Sequence, residues 1–304
     1  MKKVKFILLS LVASILVSCG TTSTVPVTGR KHRLSVSDEY VLSLSAQQYN
    51  QYLQQAKKST NATNTALVKR VGQKLATAVE TYLRSNGFAN EVKNFAWEFN
   101  LIADNQVNAF CMPGGKIVVY EGILPVTQNE ASLAIVLGHE IAHAVAKHSA
   151  EQMTKEQNSS TLVQLGGGVL TALGMDNSST QVLQGVASQG LSLLNLKYSR
   201  DNESEADYMG LIFAAMAGYD PNVAVTFWQR MAAQSQGQQA TWLSSHPSDA
   251  QRVSDIQKHL PEALMYYKKA TTPVSSTYTT GTKSAAKKTT TKKTTTKKTT
   301  KKKK

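Results

Sequence analysis

The chain has 304 residues, 41% of them hydrophobic, which is enough for one large or two small domains with a full core. Its formal charge of +14 would suit a nucleic-acid partner, but three lysines fall in residues 1–18 and eleven in residues 271–304, with no acid in either segment. The region between is neutral, so no basic groove is implied and nucleic acid is excluded as a partner.

Lys2, Lys3 and Lys5 precede an apolar run over 6–17, too short to span a bilayer, so residues 1–18 read as a secretory signal. Leu16-Val17-Ser18-Cys19 resembles the lipobox of bacterial lipoproteins, in which the cysteine is lipidated and becomes the new N-terminus. An ordinary cleaved signal and a Cys19 to Cys111 disulfide are the alternatives; lipidation would leave Cys111 as the free thiol. Residues 19–36, polar at 21–24 and turn-rich over 25–30, read as a lipidated tether.

The main domain is expected over 37–270. Ser37-Asp38-Glu39 opens a helix over 37–56, and a stripe of Leu67, Val68, Val71, Leu75, Val79 and Leu83 predicts another over 62–86, stopped by Asn86-Gly87. Alternation over 95–101 and a β-branched run over 116–120, after Pro113-Gly114-Gly115, predict a small sheet. Capping-box spacing from Thr127 to Glu130 starts the next helix near Asn129. Beyond Lys147 the chain is polar to Ser160, then apolar and glycine-rich over 162–173, which suits a kinked core helix, a mobile lid or a lipid-grazing helix. A linker over 175–180, helices to about 196, over 200–217 and over 222–234, and a last helix over 250–259 stopping before Pro261 complete the domain. The Lys/Thr repeats of 271–304 lack the apolar residues to order themselves.

Within the helix after Asn129, residues 131–146 contain four polar residues: Ser132, His139, Glu140 and His143. A helix that apolar is buried nearly all round, and burying three ionisable groups in it costs several kcal/mol unless something compensates them. A metal ion would. His139 and His143 lie on one helical face, and H-E-x-x-H is the zinc-protease signature, with Glu140 as general base. A catalytic zinc needs a third ligand, and Asn202 to Asp207 offers one: Glu203 and Asp207 share a face, so one can ligate while the other supports a ligand histidine.

H-E-x-x-H followed by E-x-x-A-D resembles the gluzincin metallopeptidases, specifically family forty-eight, which includes CAAX prenyl endopeptidases and heat-shock membrane proteases. Pro26-Val27-Thr28-Gly29-Arg30, Asn108-Ala109-Phe110, Ser199-Arg200 and Ser245-His246-Pro247 with Arg252 extend the match over roughly residues 25 to 262, to the soluble lipoprotein branch. The resemblance implies an α+β, mostly helical, zincin-like fold with a small sheet beside the active-site helix, and one Zn2+ per chain on His139, His143 and Glu203. Glu140 would act on water and Asp207 would orient a histidine. Asn108, Ala109 and Phe110 would lie on an edge strand where substrate adds, although ordinary sheet structure is as good a reading. His246 is open between an inhibitory fourth ligand, an oxyanion contact and a helix cap. His32, His148 and His259 read as structural or exposed; Arg200 and Arg252 are candidate partners for buried carboxylates.

These expectations describe a zinc endopeptidase of the bacterial envelope, lipid-anchored through Cys19 and periplasm-facing, with the outer membrane favoured, acting on misfolded or misassembled polypeptides. The alternative is a latent zinc-binding lipoprotein serving as a chaperone or assembly factor. The Lys-rich tail adds a possible contact with anionic envelope polymers.

Overall fold

The computed structural model describes residues 21–159, 192–234, 242, 246 and 251–272, and the expected signal, glycine-rich segment and Lys/Thr tail from 273 onward lie outside them. Strand β1 (Thr21–Thr24) pairs antiparallel with β2 (Lys31–Leu34), Thr21 opposite Leu34. Residues 21–34, read from composition as a tether, are thus a hairpin. Its turn is closed by the Val25 N–H on Arg30 O at 2.8 Å, and Val25, His32 and Leu34 are buried. Polar strand composition concealed it, because only every second residue of Lys-His-Arg-Leu faces inward.

Helix α1 (Asp38–Gln55) is capped by Ser37 and buries Val41, Ser45 and Tyr49, one stripe at helical spacing. Helix α2 (Ala62–Ser85), capped by Asn61, buries its predicted stripe except for Leu67, which is half-buried, and ends at Asn86-Gly87, where Gly87 takes φ +86°. Strands β3 (Glu98–Ile102), β4 (Ala109–Met112) and β5 (Lys116–Tyr120) form a sheet in the order β3-β5-β4, with β3 parallel and β4 antiparallel to β5. The first strand begins three residues later than predicted. Phe95 and Trp97, which carried the early alternation, instead stack on each other at 4.6 Å.

A short helix α3 (Leu124–Thr127) leads to α4 (Glu130–Val145), which packs against β4 and α2. Its start falls at Asn129 as predicted, but the cap differs. Asn129 Oδ1 accepts from the Ser132 N–H at 2.8 Å, while Thr127 donates back to Leu124 O and Glu130 pairs with Arg70 and Tyr219. Lys147, at φ +58°, breaks the chain direction after α4. Helix α5 then occupies 148–159, where a polar connection was expected. Its polar residues His148, Ser149, Glu151 and Thr154 are buried, because each meets a partner brought from elsewhere in the chain.

Helix α6 (Arg200–Met216) starts at a Ser199–Asn202 capping box and stops before Gly218 at φ +82°. It crosses α4 where Gly138 faces Gly210: a Cβ added at Gly138 would stand 2.6 Å from Gly210 O, and one at Gly210 2.5 Å from His139 N. Helices α7 (Val223–Gln234) and α8 (Arg252–Thr271) complete the described fold. The predicted stop before Pro261 is corrected, since α8 runs through it. The lost backbone bond at an interior proline costs about 3 kcal/mol, and packing beyond it offsets this: Ala263 is fully buried and Tyr208 donates to Glu262 at 3.0 Å. Among the described residues no helix is long and apolar enough to cross a membrane.

Candidate metal centre

Helix α4 carries His139, Glu140 and His143 inward, α6 brings Glu203 across the Gly138–Gly210 contact, and His246 approaches from the other side; all five are at most 3% exposed. One ligand atom from each of His139, His143, Glu203 and His246 lies within 4.8 Å of the others. His139 Nε2 is 3.0 Å from His143 Nε2, 3.5 Å from Glu203 Oε2 and 3.3 Å from His246 Nδ1. Glu203 Oε1 is 3.5 Å from His143 Nε2 and 3.1 Å from His246 Nδ1. Four donors bonded to zinc at about 2.0–2.1 Å in a tetrahedron stand about 3.3 Å apart. Taken to the nearer Glu203 oxygen, these separations of 3.0–3.5 Å lie close to that edge length, a spacing the ion can accommodate.

The surrounding groups favour ligand-competent protonation. Burial, then the charge of His139, holds His143 well below the usual histidine range. Burial alone would raise Glu203, but a hydrogen bond and the charge of His246 outweigh it and lower the carboxyl. Asp207 is lowered against its burial by Arg252 and His139. It accepts from His139 Nδ1 at 2.9 Å and from Arg252 Nε at 2.5 Å, while Arg252 Nη2 donates to Glu203 at 2.9 Å. His246 goes the other way: Glu140, then Glu203, raise it in spite of burial.

Glu140 points beside the cluster, its Oε1 3.7 Å from His246 Nε2, and accepts from Trp242 Nε1 at 2.7 Å. The Trp242 ring stacks on His246 at 4.5 Å and 13°, and its backbone N–H donates to Val107 O at 3.1 Å, just before β4. Of the predicted strand residues, Asn108 accepts from the Tyr120 N–H, Ala109 is buried toward α4, and Phe110 faces Tyr52 and Tyr120. Within the described sheet β4 is an edge, as the substrate-strand reading requires.

Two neighbours carry no assignment from the sequence, and a third, His148, reads there as structural or exposed. Trp242 belongs to a segment without a motif. Tyr198, stacked on His143 at 4.1 Å, precedes Ser199-Arg200 and could have been suspected from that position. His148, extrapolated along a continuous helix, points away from the ligand face, yet its Nδ1 lies 2.9 Å from His143 Nδ1. The turn at Lys147 brings it back. His32 is buried on Glu151, and His259 packs on Tyr208. Arg252 pairs with buried carboxylates as expected, whereas Arg200 is exposed in the first turn of α6.

Residues 63–260 match the model of Peptidase family M48. The chain belongs to that family. It is 42% identical over 174 residues to the mitochondrial metalloendopeptidase OMA1 of Schizosaccharomyces pombe, covering 57% of this chain and 49% of that protein. Human mitochondrial metalloendopeptidase OMA1 is 29% identical over 253 residues, covering 82% of this chain and 48% of its own length. The beta-barrel assembly-enhancing protease of Escherichia coli is 30% identical over 180 residues, covering 57% and 36% respectively. The chain therefore spans about half or less of these relatives. All of the ligand-cluster residues fall within the part that matches the family.

Proposed function

We propose that the protein is a zinc-dependent endopeptidase. The observation that carries this reading is the buried His139, His143, Glu203 and His246 cluster, its possible ligand atoms within 4.8 Å of one another and Glu140 at its side. His139, His143 and Glu203 would hold the ion, and Asp207, hydrogen-bonded to His139 Nδ1, would keep its Nε2 lone pair inward. Zinc bound there would acidify water from about 15.7 toward about 7 and polarise the scissile carbonyl. Glu140 takes the proton of the attacking water and returns it to the leaving amine. The edge of β4 recognises substrate through backbone hydrogen bonds, which tolerates many sequences and suits unfolded polypeptides. Glu140→Gln should keep one zinc per chain and lose at least about 100-fold in cleavage of an unfolded substrate. Unchanged cleavage by the purified variant would sink the mechanism.

The setting we propose is the bacterial envelope, with lipid on Cys19 holding the domain on the periplasmic side, preferably at the outer membrane. There it would act on misfolded or misassembled polypeptides, and the name of the Escherichia coli relative, a beta-barrel assembly-enhancing protease, supports a link to beta-barrel protein assembly. The Lys-rich tail adds a salt-sensitive attraction to anionic polymers or headgroups.

A second reading, a latent zinc lipoprotein acting in protein assembly, is favoured by His246 and Trp242. His246 takes the position a catalytic site leaves open, and Trp242 donates to one of the two Glu140 carboxylate oxygens. If that arrangement is a resting state, His246→Ala retains zinc and gains activity. If activity falls instead, His246 serves the reaction directly, as an oxyanion contact would.

A further inference from the structure

A second buried polar chain leads away from His143 on the side opposite Glu203. His143 Nδ1 meets His148 Nδ1 at 2.9 Å, and His148 Nε2 meets Glu205 Oε2 at 2.9 Å. Glu205 is clamped in turn by the β1–β2 hairpin: Arg30 Nε donates to both oxygens at 3.0 and 2.9 Å, Arg30 Nη2 to Oε2 at 2.6 Å, and Thr28 Oγ1 to Oε1 at 2.6 Å. Arg30 Nη2 also reaches Glu151 at 2.5 Å, which accepts from Asn202 at 3.1 Å. His148 is fully buried, and the side chains of Glu151 and Glu205 are 8% exposed.

We propose that His148 and Glu205 are positioning residues for His143, and that the hairpin, through Arg30 and Thr28, is a structural part of the metal centre. The inference rests on the metal-centre reading above. Donor direction carries it. Glu205, bound by a guanidinium and a hydroxyl, can only accept, so His148 Nε2 donates to it. His148 Nδ1 then has a free lone pair and accepts from His143 Nδ1–H. That leaves the His143 lone pair on Nε2, the atom facing His139 and Glu203. The opposite direction at the His143–His148 bond would put a hydrogen on His143 Nε2 and block ligation. Two ligand histidines are thus oriented from two sides, His139 by Asp207 and His143 by His148 and Glu205. Thr28 and Arg30 lie upstream of residues 63–260, so this support comes from outside the segment that the family model itself covers.

The test compares full-length wild type, His148→Leu, His148→Asn and Thr28→Val by zinc affinity in chelator competition, by the visible spectrum of the cobalt-loaded protein and by the melting point of the metal-free protein. Loss of an outer hydrogen bond to a ligand histidine lowers metal affinity about 10–100-fold. We expect that loss, with an altered cobalt spectrum, for His148→Leu. His148→Asn, whose Oδ1 can accept in place of Nδ1, should recover part of it, and Thr28→Val should show a several-fold loss in the same direction. Zinc affinity and cobalt spectrum unchanged in all variants, with only the melting point lowered, would overturn the proposal and leave the network as packing. If His148→Leu does not fold, Thr28→Val decides by the same two metal readouts. A wild type that takes up no zinc would remove the metal-centre reading and this inference with it.

Discussion

Asp207 shows how much of the site depends on one carboxylate. It accepts from His139 on one oxygen and from Arg252 on the other, and Arg252 also spans to Glu203. Asp207→Asn keeps an acceptor for His139 but removes the charge that Arg252 faces. Zinc affinity should therefore fall about 10–100-fold, measured by chelator competition, with little change in the metal-free fold. That His139 lies beside His143, and Glu203 on one face with Asp207, was legible in the sequence because helical spacing puts each pair together. Trp242 was not, since a tryptophan three positions before Ser245 carries no spacing signal. His148 failed for a different reason. Periodicity assumes a continuous helix, and a lysine at positive φ is a rare conformation that the sequence does not announce. Lys147 is held there by ion pairs to Asp38 at 2.7 Å and Glu91 at 2.9 Å, partners far away in the chain.

At the scale of elements, the contact that brings the two halves of the site together is the crossing of α4 and α6. Glycine inside a helix costs about 1 kcal/mol relative to alanine, yet Gly138 and Gly210 both occupy helix interiors because the backbones meet there. A methyl at Gly210 would press on the backbone of Gly138 and His139, which cannot move aside as a side chain would. Gly210→Ala should destabilise the protein by about 1–3 kcal/mol in denaturant unfolding and weaken zinc binding, because Glu203 sits two turns away on the displaced helix. The helices themselves were largely readable from apolar stripes and caps. Their failures share a cause: the β1–β2 hairpin, α5 and the second half of α8 are polar or proline-containing segments whose order comes from partners distant in sequence.

For the whole molecule, the acid end of the stability curve follows from Glu151 and Glu205. Burial alone would raise both carboxyls above their ordinary 4.5, but hydrogen bonds outweigh it, from His32 and Arg30 to Glu151 and from His148, Arg30 and Thr28 to Glu205, and each is held at about 2. A depressed folded pKa contributes stability that is fully present above the unfolded value and lost as pH falls through the folded one. The melting point of the metal-free protein, already falling below about pH 6.5 because buried His143 resists protonation, should therefore go on declining between about pH 4.5 and pH 2. A decline complete above pH 4.5 would contradict the clamp. The +14 charge has no part in this region, since it lies in the two terminal segments.

The spacing of the ligand cluster also sets a clock. His139 and His143 share one turn of α4 and can meet as soon as that helix forms, but Asp207 reaches His139 across 68 residues and His246 across 107. Closing such long loops is entropically costly and comes late in folding. Tight metal capture then has to wait for α6 to dock, so zinc uptake during refolding would report the arrival of the second half of the chain, and zinc supplied early would find only a two-histidine foothold.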